Sequence, residues 1–213
     1  MQTYGSAELA AELSVSRETK EKLERLAALL QHWQRTINLV GTASLTKLWQ
    51  RHMLDSAQLA ALLPADARIL VDLGSGGGFP GLVLAIMFAD RRGFRAHLVE
   101  SDKRKAAFLA AAIGELGVPA EVHAMRIEFA APIRADVITA RACAPLPELL
   151  GFAARFWGPG TLGLFHKGQD VQHELTQARE SWTFDAQFAP SRSDPSGTIL
   201  MVRALERVPG LQR

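Results

Sequence analysis

The apolar positions of this chain change their period near residue 64. Before it, Leu23, Leu26, Ala27, Leu30, Trp33 and Ile37 recur at the 3.6-residue spacing of one helix face, with Ser16 placed as an N-cap. A second helix is expected over residues 44–63, because Pro64 follows its end. From Ile69 onward, short apolar runs alternate with helical ones. Strands are expected at Ile69–Leu73, Arg95–Val99, Ala120–His123, 136–139 and 161–165, and helices over 82–89, 102–115, after Pro145–Pro147, and over 171–180. The last stretch has no helix between its strands. Residues 182–188, a turn through Asp194-Pro195-Ser196-Gly197, and residues 198–204 read as a hairpin closing an otherwise parallel sheet. The pattern predicts an α/β fold in which a helical cap (1–64) and an α/β domain (65–213) pack as one globular unit.

The loop after the first strand carries the chemistry. Residues 69–81 read Ile-Leu-Val-Asp-Leu-Gly-Ser-Gly-Gly-Gly-Phe-Pro-Gly. A strand, a glycine loop and a helix N-terminus are how α/β proteins hold nucleotide-like cofactors. Two frames compete. Gly76, Gly78 and Gly81 satisfy the dinucleotide spacing G-x-G-x-x-G, whereas Asp72 with Gly74, Gly76 and Gly78 resembles the first motif of the S-adenosylmethionine methyltransferases. The turn should begin where the strand ends, at Leu73, which makes Gly74 the first loop residue. Pro80 lacks the N–H that a pyrophosphate needs at a helix start, and this also favours the second frame.

Composition narrows the class only slightly. Lysine and arginine number 24 against 22 acids, too balanced to imply a nucleic-acid partner by charge alone. Arg91, Arg92, Arg95, Lys103, Arg104 and Lys105 nevertheless cluster around Glu100 and Asp102, which could attract a phosphate backbone or simply solvate a loop and helix face. The single cysteine, Cys143, excludes an internal disulfide and a cysteine-based zinc site, and no His, Cys, Asp or Glu spacing reads as a metal site. The first residues lack a signal-peptide pattern and the most apolar helix is too short for a bilayer, so a soluble, cytoplasmic protein with no membrane contact is expected.

In an open α/β sheet the ligand lies at the carboxyl ends of the strands. Strand two ends at Glu100, whose carboxylate suits a ribose diol, although an NAD site predicts the same acid. Strand three leads to Met125-Arg126-Ile127-Glu128, where an apolar side chain can cover an adenine face. Strand four leads to Arg141, which can anchor a carboxylate or a phosphate, or serve the scaffold through a paired acid. Cys143 lies where a nucleophile would stand, but no proline precedes it and a small packed cysteine is the commoner use. Arg51 and Asp55, and His52 and Ser56, are each four apart and read as intrahelical polar pairs.

Taken together, these residues resemble the bacterial small-subunit ribosomal RNA methyltransferase G family, also called glucose-inhibited division protein B. The similarity spans nearly the whole chain. It rests on Phe79-Pro80-Gly81 after the glycines, Trp33 with Asn38-Leu39, Arg51-His52 with Asp55-Ser56, Glu100-Ser101 with Phe108-Leu109, Thr139-Ala140-Arg141-Ala142, and Lys167-Gly168. The resemblance implies a Rossmann-like class I fold with a seven-stranded, mostly parallel sheet whose last strand is antiparallel, plus the N-terminal helical cap. It implies methyl transfer from S-adenosylmethionine to N7 of one specific guanine in 16S ribosomal RNA, presented free, in the small subunit or in an assembly intermediate, by a monomeric enzyme. The matching cofactor positions are Gly74, Phe79, Glu100, Ile127, Glu128 and Arg141. Arg104, Lys105, Arg126 and Lys167 are candidates for RNA phosphates. Guanine N7 has a free lone pair, so no catalytic base and no metal are expected. The chain departs from the family pattern at Asp102-Lys103-Arg104-Lys105, where the order of the basic pair is inverted, and at Cys143, where phenylalanine is common. Three alternatives remain at this level: a methyltransferase of the same fold on another substrate, an NAD-dependent oxidoreductase using the second glycine frame, and a non-catalytic RNA-binding module.

Overall fold

A computed structural model describes residues 4–209. Helix α1 (Ser6–Leu13) leads to α2 (Arg17–Trp33), which starts at Ser16 as expected: the Ser16 hydroxyl accepts the Thr19 N–H at 3.1 Å. The apolar face of α2 buries Leu23, Leu26, Ala27 and Leu30. The single helix expected over 44–63 is instead broken into α3 (Thr42–Leu45), a π-helical turn (Trp49–Leu54), α4 (Asp55–Ala57) and a 3-10 turn (Gln58–Leu62). Of the intrahelical pairs expected there, Arg51–Asp55 does not form and Ser56 meets His52 only at its backbone carbonyl. Arg51 bonds Asp194 at 2.5 Å, Asp55 meets Arg141, and Ser56 donates to the His52 carbonyl. A solvated pair four apart contributes only about 0.3–0.5 kcal/mol, so partners distant in the chain readily outcompete it.

Seven strands form one sheet: β1 (Ile69–Leu73), β2 (Arg95–Val99), β3 (Ala120–His123), β4 (Val137–Arg141), β5 (Leu162–Lys167), β6 (Trp182–Pro190) and β7 (Thr198–Arg207). Their spatial order is β3-β2-β1-β4-β5-β7-β6. Strands β1 to β5 run parallel, and β7 inserts antiparallel between β5 and β6. This is the sheet that the resemblance implied. Strands β4 and β5 run two residues past their expected ends, so Arg141 and Lys167 are terminal strand residues whose direction the sheet sets. Helices α5 (Gly81–Met87) and α6 (Lys103–Leu116) cover one face, and α7 (Leu146–Ala153) and α8 (Val171–Arg179) the other. The N-terminal helices share the hydrophobic cluster of α5 and α6, with Leu26, Leu30 and Met53 buried beside Leu82 and Phe108. Among the described residues no helix is long and apolar enough to cross a membrane.

The glycine at the start of α5 is a packing requirement. A Cβ on Gly81 would lie 2.5 Å from both the Asp72 Cβ and the Leu98 side chain, so the helix seats directly on β1 and β2. Asp72 itself is fully buried. It accepts the Thr139 hydroxyl at 2.6 Å, which ties β1 to β4, and its other oxygen has no partner among the described residues. Burial raises its pKa to about 6.

Two outcomes follow. Gly81→Ala should destabilise by about 1–3 kcal/mol through overpacking, whereas Gly114→Ala, inside α6 with open space around it, should stabilise by about 0.5–1 kcal/mol. Urea midpoints check both, and equal midpoints would refute the close seating of α5. Asp72 holds its proton in the fold up to about pH 6 but loses it near 3.8 when unfolded. Its contribution is therefore complete below 3.8 and lost as pH rises through 6. Asp72→Asn should remove that dependence, gaining on the wild type by up to ~3 kcal/mol between pH 4 and 7. A constant difference across that range would show that Asp72 ionises normally.

Candidate active site

The loop after β1 turns through left-handed backbone at Gly74 (φ 68°), Gly76 (φ 55°) and Gly78 (φ 90°), the frame that begins at the strand end. Five of its amides are used internally. Gly74 and Ser75 donate to the Val99 carbonyl, Gly78 and Phe79 donate to the Ser75 carbonyl, and Gly76 donates to Glu100 at 2.7 Å. A dinucleotide pyrophosphate requires such N–H groups to point outward, so this loop is built for a ligand without phosphate. Glu100, at the end of β2, also accepts the Asp102 N–H at 2.7 Å and so locks the glycine loop to the start of α6.

Two cavities open at the carboxyl ends of the strands. The smaller, about 370 Å³, is lined by Gly74, Val99, Ser101, Met125, Ile127 and Glu128 among others. A Cβ on Gly74 would approach Cys143 Sγ to 3.0 Å, so a side chain there would fill the floor where β1 and β4 converge. The larger, about 880 Å³, is lined by Arg51, His52, Asp55, Arg141, His166 and Lys167, with further groups from the 191–198 turn. Residues 142–145, directly after β4, line both. The cavities therefore adjoin along one short wall.

That wall is held by a buried polar hub. Arg141, 17% exposed, reaches Asp55 at 3.3 Å and the Arg51 carbonyl at 3.0 Å. Its other terminal nitrogen donates to His52 Nδ1 at 2.8 Å, so His52 carries its proton on Nε2 and donates it to Ser44 at 2.8 Å. Burial and the adjacent Arg141 hold the His52 pKa down at about 4, so this ring is neutral at physiological pH. The Arg141 guanidinium also lies 5.0 Å from the Phe79 ring centre. Asp55 accepts further hydrogen bonds from Gln58, Ser191 and Ser193, and its carbonyl accepts from His166. Burial lowers the His166 pKa, and its Nδ1 is buried with no partner among the described residues.

The sequence-predicted residues fall into distinct places. Gly74, Arg126, Ile127 and Glu128 line the smaller cavity, and Arg141 and Lys167 the larger. Phe79 and Glu100 are buried behind the walls, Phe79 against His52 and Arg141 and Glu100 beneath the glycine loop. Lys167 is 7% exposed and paired with Glu174 at 2.6 Å. Arg126 pairs with Glu128 at 2.8 Å, while Arg104 and Lys105 begin α6, capped by the Asp102 carboxylate. Asp55 was read only as half of an intrahelical pair with Arg51, and Ser44 and His166 were not anticipated as site residues, since nothing local distinguishes those two. Burial pushes the Cys143 thiol up to about 11, so it is a neutral packing group.

The comparisons with known proteins agree with this geometry. Residues 19–196 match the family model described as rRNA small subunit methyltransferase G. A Ribosomal RNA small subunit methyltransferase G of Parvibaculum lavamentivorans is 56% identical over 206 residues, covering 96% of this chain and 91% of that protein. One of Rhodospirillum centenum is 50% identical, covering 93% and 90%. Among solved structures, the mitomycin 7-O-methyltransferase MmcR superposes with a TM-score of 0.58 at 13% identity, over 95% of this chain and 73% of that one. The M. jannaschii TYW2 in complex with AdoMet superposes with a TM-score of 0.54 at 13% identity, over 71% and 74%. At such identities these two establish the fold alone, that of the methyltransferases. With most of its length matched by the family model and half or more of its residues shared with such relatives, this chain belongs to the rRNA small subunit methyltransferase G family.

Proposed function

We propose that this protein methylates N7 of one guanine in 16S ribosomal RNA, with S-adenosylmethionine in the smaller cavity and the guanine in the larger. The observation that carries the reading is the wall of residues 142–145 shared by the two cavities, which puts a donor and an acceptor side by side. S-adenosylmethionine, when bound, supplies a methyl group made electrophilic by its sulfonium. Gly74 lets the backbone lie against it, Ile127 and Met125 offer apolar cover, and Glu100 keeps the loop in shape from behind. Arg141 reaches the shared wall from the other side.

The target atom sets what the protein has to do. The N7 lone pair is free in neutral guanine, so no side chain needs to remove a proton, and the rate enhancement comes from positioning and electrostatics. Methylation leaves the base cationic. The larger cavity carries four carboxylates (Asp55, Asp170, Glu174, Asp194) against three fixed cations (Arg51, Arg141, Lys167), a balance that favours such a cation. The guanine must come from an unpaired or splayed segment, because the A-form major groove is closed to side chains. Phosphates are then met outside the cavity, where Arg104 and Lys105 lie at the start of α6. The enzyme acts as a monomer in the cytoplasm, where ribosomal subunits are assembled.

Borohydride–aniline cleavage of 16S RNA incubated with the protein and S-adenosylmethionine should reveal one new 7-methylguanine. Methyl incorporation at another atom, or none with RNA in any assembly state, would refute the reading. Gly74→Ala should weaken cofactor binding by at least about tenfold, since both φ and space are lost, whereas Cys143→Ala should retain methyl transfer. Calorimetry and labelled-methyl assays test the two. Arg104→Ala and Lys105→Ala should each weaken RNA binding and reduce its log–log salt slope by about one. An unchanged slope would remove α6 from the RNA path.

A further inference from the structure

Strands β2 and β3 carry a cluster that the methyl-transfer site does not use. In their parallel register His97 stands opposite Glu121 and Val99 opposite His123, so His97, Glu121 and His123 share one sheet face. The opposite face of these strands is apolar: Ala96 and Leu98 are buried and Val122 packs beside them. The histidine face lies at the sheet edge, since β3 is the terminal strand. His97 Nδ1 and His123 Nε2 are 3.0 Å apart, and Glu121 Oε2 is 4.0 Å from His97 Nδ1. All three donor atoms lie within 4.8 Å of one another.

The ring geometry is more specific than this proximity. The ring centres are 5.3 Å apart with 26° between the planes. With nitrogens only 3.0 Å apart, that centre spacing requires the rings to meet edge to edge, nitrogen to nitrogen. Two imidazoles on one tetrahedral ion, each about 2.0–2.1 Å from it, hold their nitrogens about 3.3 Å apart and their centres about 5.2 Å apart. The centres already have that spacing, so only a tilt of the rings separates the hydrogen-bonded pair from a metal-binding pair. In the ion-free arrangement one ring donates N–H to the other. On binding, that proton moves to the remaining nitrogen of its own ring, so both imidazoles stay neutral and each presents a lone pair.

We propose that His97, His123 and Glu121 form a mononuclear site for a divalent transition-metal ion, with zinc the best fit to two imidazoles and a carboxylate and water as the fourth ligand. The spacing of 26 residues between the histidines is unlike any short ligand motif, which is why no metal was expected from the sequence. The Arg95 guanidinium, 3.9 Å from Glu121, is the one cation in contact with the carboxylate among the described residues, and Glu121 must turn from it to the ion. The site also has a structural reach. His123 is two residues before Met125, which lines the smaller cavity, so an ion clamping β3 to β2 fixes the base of that wall.

Cobalt(II) titration of the metal-free protein should give the intense visible bands of a tetrahedral site at one equivalent, and zinc should displace them. At a hundredfold excess over Kd, zinc should raise Tm by about 5–10 °C. His97→Gln and His123→Gln should each abolish the bands and the Tm shift, Glu121→Gln should weaken binding by tenfold or more, and His32→Gln, on the exposed face of α2, should change nothing. Circular dichroism of each variant confirms that it is folded. Absence of one-equivalent binding to the wild type, or binding that persists in both His97→Gln and His123→Gln, would overturn the assignment and leave the pair as a hydrogen-bonded strut.

Discussion

The Asp55–Arg141 pair is the interaction on which the rest of this site depends. An arginine buried at a strand end must have its charge met by a carboxylate, and removing either partner of such a pair costs about 3–5 kcal/mol. Asp55 comes from the helical N-terminal segment and Arg141 from the central strand β4, so the pair fixes one against the other. The same carboxylate receives Ser191 and Ser193 from the turn between β6 and β7, and the Asp55 carbonyl receives His166 from β5. Three otherwise separate parts of the chain thus converge on one acid. Burial holds the Arg141 pKa below its ordinary value and Asp55 opposes that shift, and the guanidinium stays charged where it lines the larger cavity.

This convergence explains why the segment before β1 is not one continuous helix. A regular helix over 44–63 would satisfy Arg51 and Asp55 with each other, four apart. In the fold, Arg51 turns to Asp194, Asp55 to Arg141, and His52 to both Ser44 and Arg141. The π-helical turn over Trp49–Leu54 is where this redirection occurs, as such turns often do at functional sites.

Much of the architecture was legible because it is local. The helix cap at Ser16, the strand end at Leu73 and the glycine frame at 74, 76 and 78 are all decided by neighbours within a few residues. The carboxyl ends of the strands were placed correctly enough to name Gly74, Ile127, Glu128 and Arg141 as cavity residues. The remainder depends on partners far apart in sequence. Asp55 and Arg141 are 86 residues apart, and Arg51 and Asp194 are 143 apart. No periodicity records such pairs. Phe79, named from the loop motif, stands behind the wall because Arg141 and His52 pack on it. Lys167, named as a candidate for an RNA phosphate, is enclosed by Glu174 from the helix that follows.

A double-mutant cycle on Asp55→Asn and Arg141→Gln, read as urea unfolding free energies, tests the hub most directly. If the pair organises the site as described, each single variant loses several kcal/mol and the double variant loses less than their sum, by about 1–3 kcal/mol. Losses that simply add would mean that Asp55 and Arg141 contribute independently, and would contradict a shared hub joining the N-terminal helices to β4.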